Sequence, residues 1–132
     1  MKNQDAFTYI KQEMNRQFKE RIYLEREETA WDRYGWFRLW FRYEPKSYWI
    51  LFEGEYHAFN VRILADKHRF LPLRKLTDYK NSLTERNLKE VIQILRSCLD
   101  QDLPFRQIRR GREMTERDEK KKERLETWKE RN

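Results

Sequence analysis

The chain of 132 residues has little of what most catalytic and cofactor-binding signatures require. It contains one cysteine, Cys98, which excludes an internal disulfide and a thiolate cluster. Its three glycines, Gly35, Gly54 and Gly111, do not form the glycine-rich loops that cradle dinucleotides or nucleoside phosphates. The two histidines, His57 and His68, stand too far from each other and from Cys98 to show a compact metal-ligand spacing. Uncharged apolar runs such as residues 48 to 52 are far shorter than the roughly 20 residues of a membrane-crossing helix. The first residues, MKNQDAFTYIKQE, lack the apolar segment of a secretory signal, so the cytoplasm is the expected compartment.

What the chain has in quantity is charge and aromatic surface. Charged residues make up 40%, a fraction that alone suggests disorder, but 8 Phe, 7 Tyr and 5 Trp supply the apolar area that disordered chains lack. One folded domain with polar ends is expected, spanning residues 4 to 108, followed by a basic arm and charged helical tail over 109 to 132.

The net charge of +7 is uneven. Residues 62 to 80 hold six bases against two acids, and residues 106 to 112 hold four arginines and no acid. The seven bases and seven acids of residues 113 to 132 cancel. A local excess of cations attracts a polyanion more specifically than a high overall pI does, because salt screens charges beyond about 8 to 10 Å.

Hydrophobic periodicity predicts the fold. Phe7, Ile10, Met14, Phe18 and Ile22 recur at three- and four-residue steps, predicting a helix over residues 4 to about 28. Gly35 then permits a turn. Residues 36 to 43 alternate, with Phe37, Leu39, Phe41 and Tyr43 on one side and Trp36, Arg38, Trp40 and Arg42 on the other. Residues 48 to 53 read as the next strand, with a two-residue turn at Glu53 and Gly54. Residues 56 to 64 read as a third strand that places His57 on the face of Phe59, Val61 and Ile63. A short run over 69 to 73 contains Pro72 and is expected at a sheet edge. Leu88, Val91, Ile92, Leu95, Cys98 and Leu99 then mark a second amphipathic helix capped by Ser82 or Thr84. The expected class is therefore α+β, an antiparallel meander of three to four strands flanked by two amphipathic helices. Thr115 and Asp118 weakly suggest the start of a charged C-terminal helix. This order of elements identifies no family by itself.

Two functional expectations follow. In the first, the protein is a non-enzymatic nucleic-acid-binding or regulatory protein. Trp36 and Trp40 would stack bases beside Arg38 and Arg42, and Arg62, Arg69, Arg74, Lys75, Arg106, Arg109, Arg110 and Arg112 would meet phosphates. The bland counterpart is that a helix covers the Trp36 row, with arginines stacked on the indoles. In the second, it is a protein-interaction module, such as a small inhibitor, immunity-type or adaptor protein, using an aromatic patch and Leu125 and Trp128 of the C-terminal helix. No cofactor or metal is expected. A hydrolase built on Glu53, Glu55 and His57 ranks below both, because nothing nearby supplies the apolar shielding that raises a carboxylate pKa.

Overall fold

The computed structural model describes residues 1 to 32 and 35 to 101. Among them the order is α1 (Asn3–Phe18), β1 (Ile22–Ala30), β2 (Trp36–Tyr43), β3 (Tyr48–Glu55), β4 (Ala58–Leu64), β5 (Phe70–Pro72) and α2 (Glu85–Asp100), with single 3-10 turns at Lys19–Arg21, Glu44–Lys46 and Leu73–Lys75. The five strands form one open antiparallel sheet in sequential order, with α1 and α2 packed on the same face. The class is α+β as expected, with one strand more than the widest estimate.

The extra strand is β1, the largest departure from the expected fold. The first helix stops at Phe18, where Lys19 turns the chain with φ of 52°, and residues 22 to 30 pair along β2 instead of extending α1. The physical reason lies in the partners. In a continued helix, Glu25, Glu27 and Glu28 would gain only solvent. As a strand, residues 22 to 30 complete the hydrogen bonding of β2 and lay Ile22 and Leu24 beside Tyr43 and Phe41. Ile22 fits the helical stripe and the strand alternation equally well, so local spacing cannot distinguish them.

The core lies between the helices and the inner face of the sheet. Ala6, Ile10, Met14 and Phe18 line α1 at four-residue steps, and the predicted α2 stripe packs beside them against Phe37, Leu39, Phe41, Ile50, Phe52 and Phe59. Edge-to-face contacts join Phe7 to Trp31 and Phe37 at 5.4 and 5.6 Å and Phe18 to Tyr43 at 6.2 Å. Cys98 belongs to this core, and burial pushes its thiol pKa up. Thr84 caps α2, its hydroxyl accepting from the Asn87 N–H at 3.1 Å. Pro72 sits in the edge strand, where its missing N–H costs no ladder bond.

The hairpin between β3 and β4 also differs from expectation. Glu53 and Gly54 are within β3, and the two-residue turn is Tyr56 and His57, with φ of 49° and 64°. Both values are positive, the signature of a type I′ turn, which matches the twist of the strands it joins. His57 is consequently exposed in the turn and does not share the buried face of Phe59, Val61 and Ile63. Residues from 102 onward, including the expected arm and tail helix, lie outside the described residues.

Candidate interaction surface

Alternation sends every second side chain of the sheet away from the helices, and the register brings these together into one outer face. Trp36, Arg38, Trp40 and Arg42 on β2 are joined by Trp49, Leu51 and Glu53 on β3. Arg62 on β4 lies opposite Leu51, and Phe70 on β5 lies opposite Leu64. From β1 come Tyr23, Arg26 and Glu28. A register shift between Leu24 and Arg26 also turns Glu25 to this side, where it accepts a hydrogen bond from the Trp49 indole.

Among the described residues neither α1 nor α2 covers this face, both being packed on the opposite one, while the expected C-terminal helix lies outside the described residues. The other part of the bland expectation, arginines stacked on rings, is met. The Arg38 guanidinium lies 5.1 Å from the Trp36 ring centre, Arg42 lies 4.1 Å from Trp49, and Arg62 lies 5.6 Å from Phe70. Trp36, Trp40 and Trp49 are half-buried, and Leu51, on the same face, is only 2% exposed. The surface is a mosaic of guanidinium planes and ring edges, with Tyr23 the most exposed aromatic at 47%.

Carboxylates are threaded through the same mosaic. Glu53 bridges two strands, accepting from Arg38 Nε at 3.1 Å and from Arg62. Glu28 accepts from Trp40 Nε1 at 2.8 Å and lies 3.5 Å from Arg26. The outer face therefore carries Arg26, Arg38, Arg42 and Arg62 against Glu25, Glu28, Glu53 and Glu55, four charges of each sign. Exposed pairs of this kind stabilise by about 1 kcal/mol or less each. Their larger effect here is to orient the arginines along the rings and to cancel the local positive field.

Among the described residues, the sequence-predicted basic residues fall on different elements. Arg38, Arg42 and Arg62 share the outer face with Trp36 and Trp40. Arg69 is tied to Asp66 at 2.6 Å in the turn between β4 and β5. Arg74 and Lys75 are exposed in the 3-10 turn after β5, where Arg74 lies 4.7 Å from the Tyr79 ring centre. Arg106, Arg109, Arg110, Arg112, Leu125 and Trp128 are outside the described residues. Of the trio considered for hydrolysis, Glu53 is held between two arginines, while Glu55 and His57 are exposed at the hairpin end.

Sequence reasoning missed Trp49, Leu51, Tyr23, Glu25 and Glu28 as members of the face, and considered Glu53 and Glu55 only for hydrolysis. The alternation of residues 48 to 53 carries the signal for Trp49 and Leu51, but only the register reveals that they join Trp40. No local signal exists for Glu25 and Glu28, since their stretch reads as helix.

A hollow of about 390 Å³ lies between the start of α1 and the β3–β4 turn, lined by Lys2, Asn3, Gln4, Trp31, Gly35, Tyr56 and His57. Gly35 there has φ of 68° and its carbonyl accepts from Asn3 Nδ2 at 2.7 Å, fixing the turn before β2 against the helix. Among the described residues, no helix is long and apolar enough to cross a membrane, and no group of three His, Cys, Asp or Glu is arranged to hold a metal ion. No family model, curated protein or solved structure matches the chain.

Proposed function

We propose that the protein is a non-enzymatic interaction module that binds another protein through the outer face of its sheet. The observation that carries this reading is the composition of the face: three indoles, a tyrosine and a phenylalanine set among arginines whose charge is balanced by glutamates on the same surface. Trp, Tyr and Arg are the residues that most often dominate protein-binding energy, because each combines a large apolar plane with a polar handle. A phosphate chain gains from such a surface mainly where cations outnumber acids, and here they do not. Arg74 and Lys75, in the 3-10 turn after β5 and outside the balanced rows, remain cations that a nucleic acid would use, together with the arginines of residues 106 to 112, which lie outside the described residues.

The two readings separate by salt. With the full chain immobilised, a protein partner should be retained in about 1 M salt, where the Debye length is roughly 3 Å, from lysate of cells that also produce the untagged chain. Trp40→Ala and Tyr23→Ser should each reduce that retention, the latter at an exposed position that the fold does not need. Loss of all capture at that salt overturns the proposal, and so does capture that both variants leave unchanged. Oligonucleotide binding that falls steeply with salt and disappears in an Arg109→Ala, Arg110→Ala double variant would restore the nucleic-acid reading.

A further inference from the structure

The kind of partner this face fits is written in the order of its charges along the strands. The register sorts the outward side chains into four rows across the sheet. Arg42 lies in the first row, and Arg26, Arg62 and the bulged Glu25 in the second. Arg38, Glu28 and Glu53 lie in the third, and Glu55 lies in the fourth beside Ala58. The first two rows thus hold three arginines and one glutamate, and the last two hold one arginine and three glutamates. One end of the face has an excess of arginine and the other an excess of glutamate, joined by the Arg62–Glu53 and Arg26–Glu28 pairs that cross between them, with Trp40 and Leu51 in the second row near the boundary.

We infer that the occupant is a second copy of this chain, stacked face to face; this rests on the reading of the outer face as a protein-binding surface. An isologous contact needs a surface complementary to itself. A two-fold axis lying between two sheets and running across their strands sets the cationic end of each against the anionic end of the other. It also stacks the apolar middles, the arrangement of aligned sheet packing. An axis along the strands would oppose like charges and is disfavoured. A uniformly acidic or basic partner would match one end and be repelled by the other. The outer edge of β1, which no other described strand pairs, is a poorer route to self-association, because its bulge and the run Glu25, Arg26, Glu27, Glu28 interrupt and charge the ladder that a second strand would need.

Sedimentation equilibrium of the full-length chain tests this. The wild type should form a reversible dimer. Arg26→Glu at the cationic end and Glu55→Lys at the anionic end are both at exposed positions. Each should weaken the dimer about tenfold, some 1.4 kcal/mol. Mixing the two variants should recover a dimer containing one of each, since the unaltered end of one meets the unaltered end of the other; a merely structural effect would not be repaired by mixing. A chain that stays monomeric at the highest concentration sedimented overturns the inference, as does a dimer indifferent to both charge reversals or variants that mixing does not rescue. A monomer that still retains a partner protein in a Trp40-dependent manner overturns self-association alone. A dimer unaffected by Trp40→Ala overturns the inference, and if partner capture is also indifferent to Trp40→Ala and Tyr23→Ser the reading beneath it falls as well.

Discussion

At Gly54 an added Cβ would stand 2.2 Å from Cε1 and 2.4 Å from Cζ of Phe37, closer than carbon atoms approach without displacement. Phe37 is fully buried, so its ring has nowhere to retreat. Gly54→Ala is expected to cost about 1 to 3 kcal/mol, the range for overpacking a filled core. Pairing it with Phe37→Leu should return part of the loss, and urea melts of the single and double variants measure the coupling. The glycine looks like a turn residue in the sequence because Glu53-Gly54 has turn chemistry; its role is set by a ring from the neighbouring strand. Turn chemistry is instead unfavourable where the turn is. His57 has φ of 64°, a conformation that costs an L-residue about 1 kcal/mol, so His57→Gly should raise stability by roughly 0.5 to 1 kcal/mol in the same melts.

Among elements, α2 is the most legible. Its apolar positions follow the helical period without interruption, Thr84 caps it as expected, and all six residues of the stripe are buried. Leu95 is fully buried at the centre of that stripe, and Leu95→Ala should remove about 2 to 5 kcal/mol of stability. An unchanged thermal midpoint would show that the stripe is not core. The element that deceives is β1. Its charged run offers no alternation strong enough to outvote the preceding helix, and its structure is imposed by the unpaired edge of β2. Since β1 delivers Glu25 and Glu28 to the outer face, the error in one element carried over into the expected electrostatics of another. The row Trp36, Arg38, Trp40 and Arg42 was visible from alternation alone. Its neutralisation was not, because the acids arrive from residues about ten to fifteen positions away in sequence.

For the molecule as a whole, two carboxylates link folding to pH. Hydrogen bonding from the Arg16 side chain holds the Glu13 carboxyl below the usual range, and Gln17 adds a further bond at 2.9 Å. Burial alone would push Asp66 up, but hydrogen bonds from the Arg69 side chain and the backbone N–H groups of His68 and Arg69 outweigh it and hold the carboxyl low. Both groups bind protons more weakly folded than unfolded. Their contribution is therefore present above the usual carboxylate range, near pH 4 to 4.5, and is lost as pH falls through the lower folded values. The urea midpoint should hold from neutral pH to about 5 and decline below it, and Glu13→Gln should make that decline shallower. A decline of equal slope in the variant would remove Glu13 from the account.

By itself, the sequence determined the α+β class, α2 and its cap, the strands β2 to β5 to within a few residues, and the alternation that puts two tryptophans and two arginines on one side of β2. These depend on periodicity and local chemistry, which act between residues a few positions apart. The tertiary structure alone decided that β1 is a strand, that Gly54 makes room for Phe37, and that each guanidinium of the tryptophan row meets a ring or a carboxylate from another strand. Those outcomes depend on pairing register, and register comes from burying one whole face of the sheet at once rather than from any short stretch of residues.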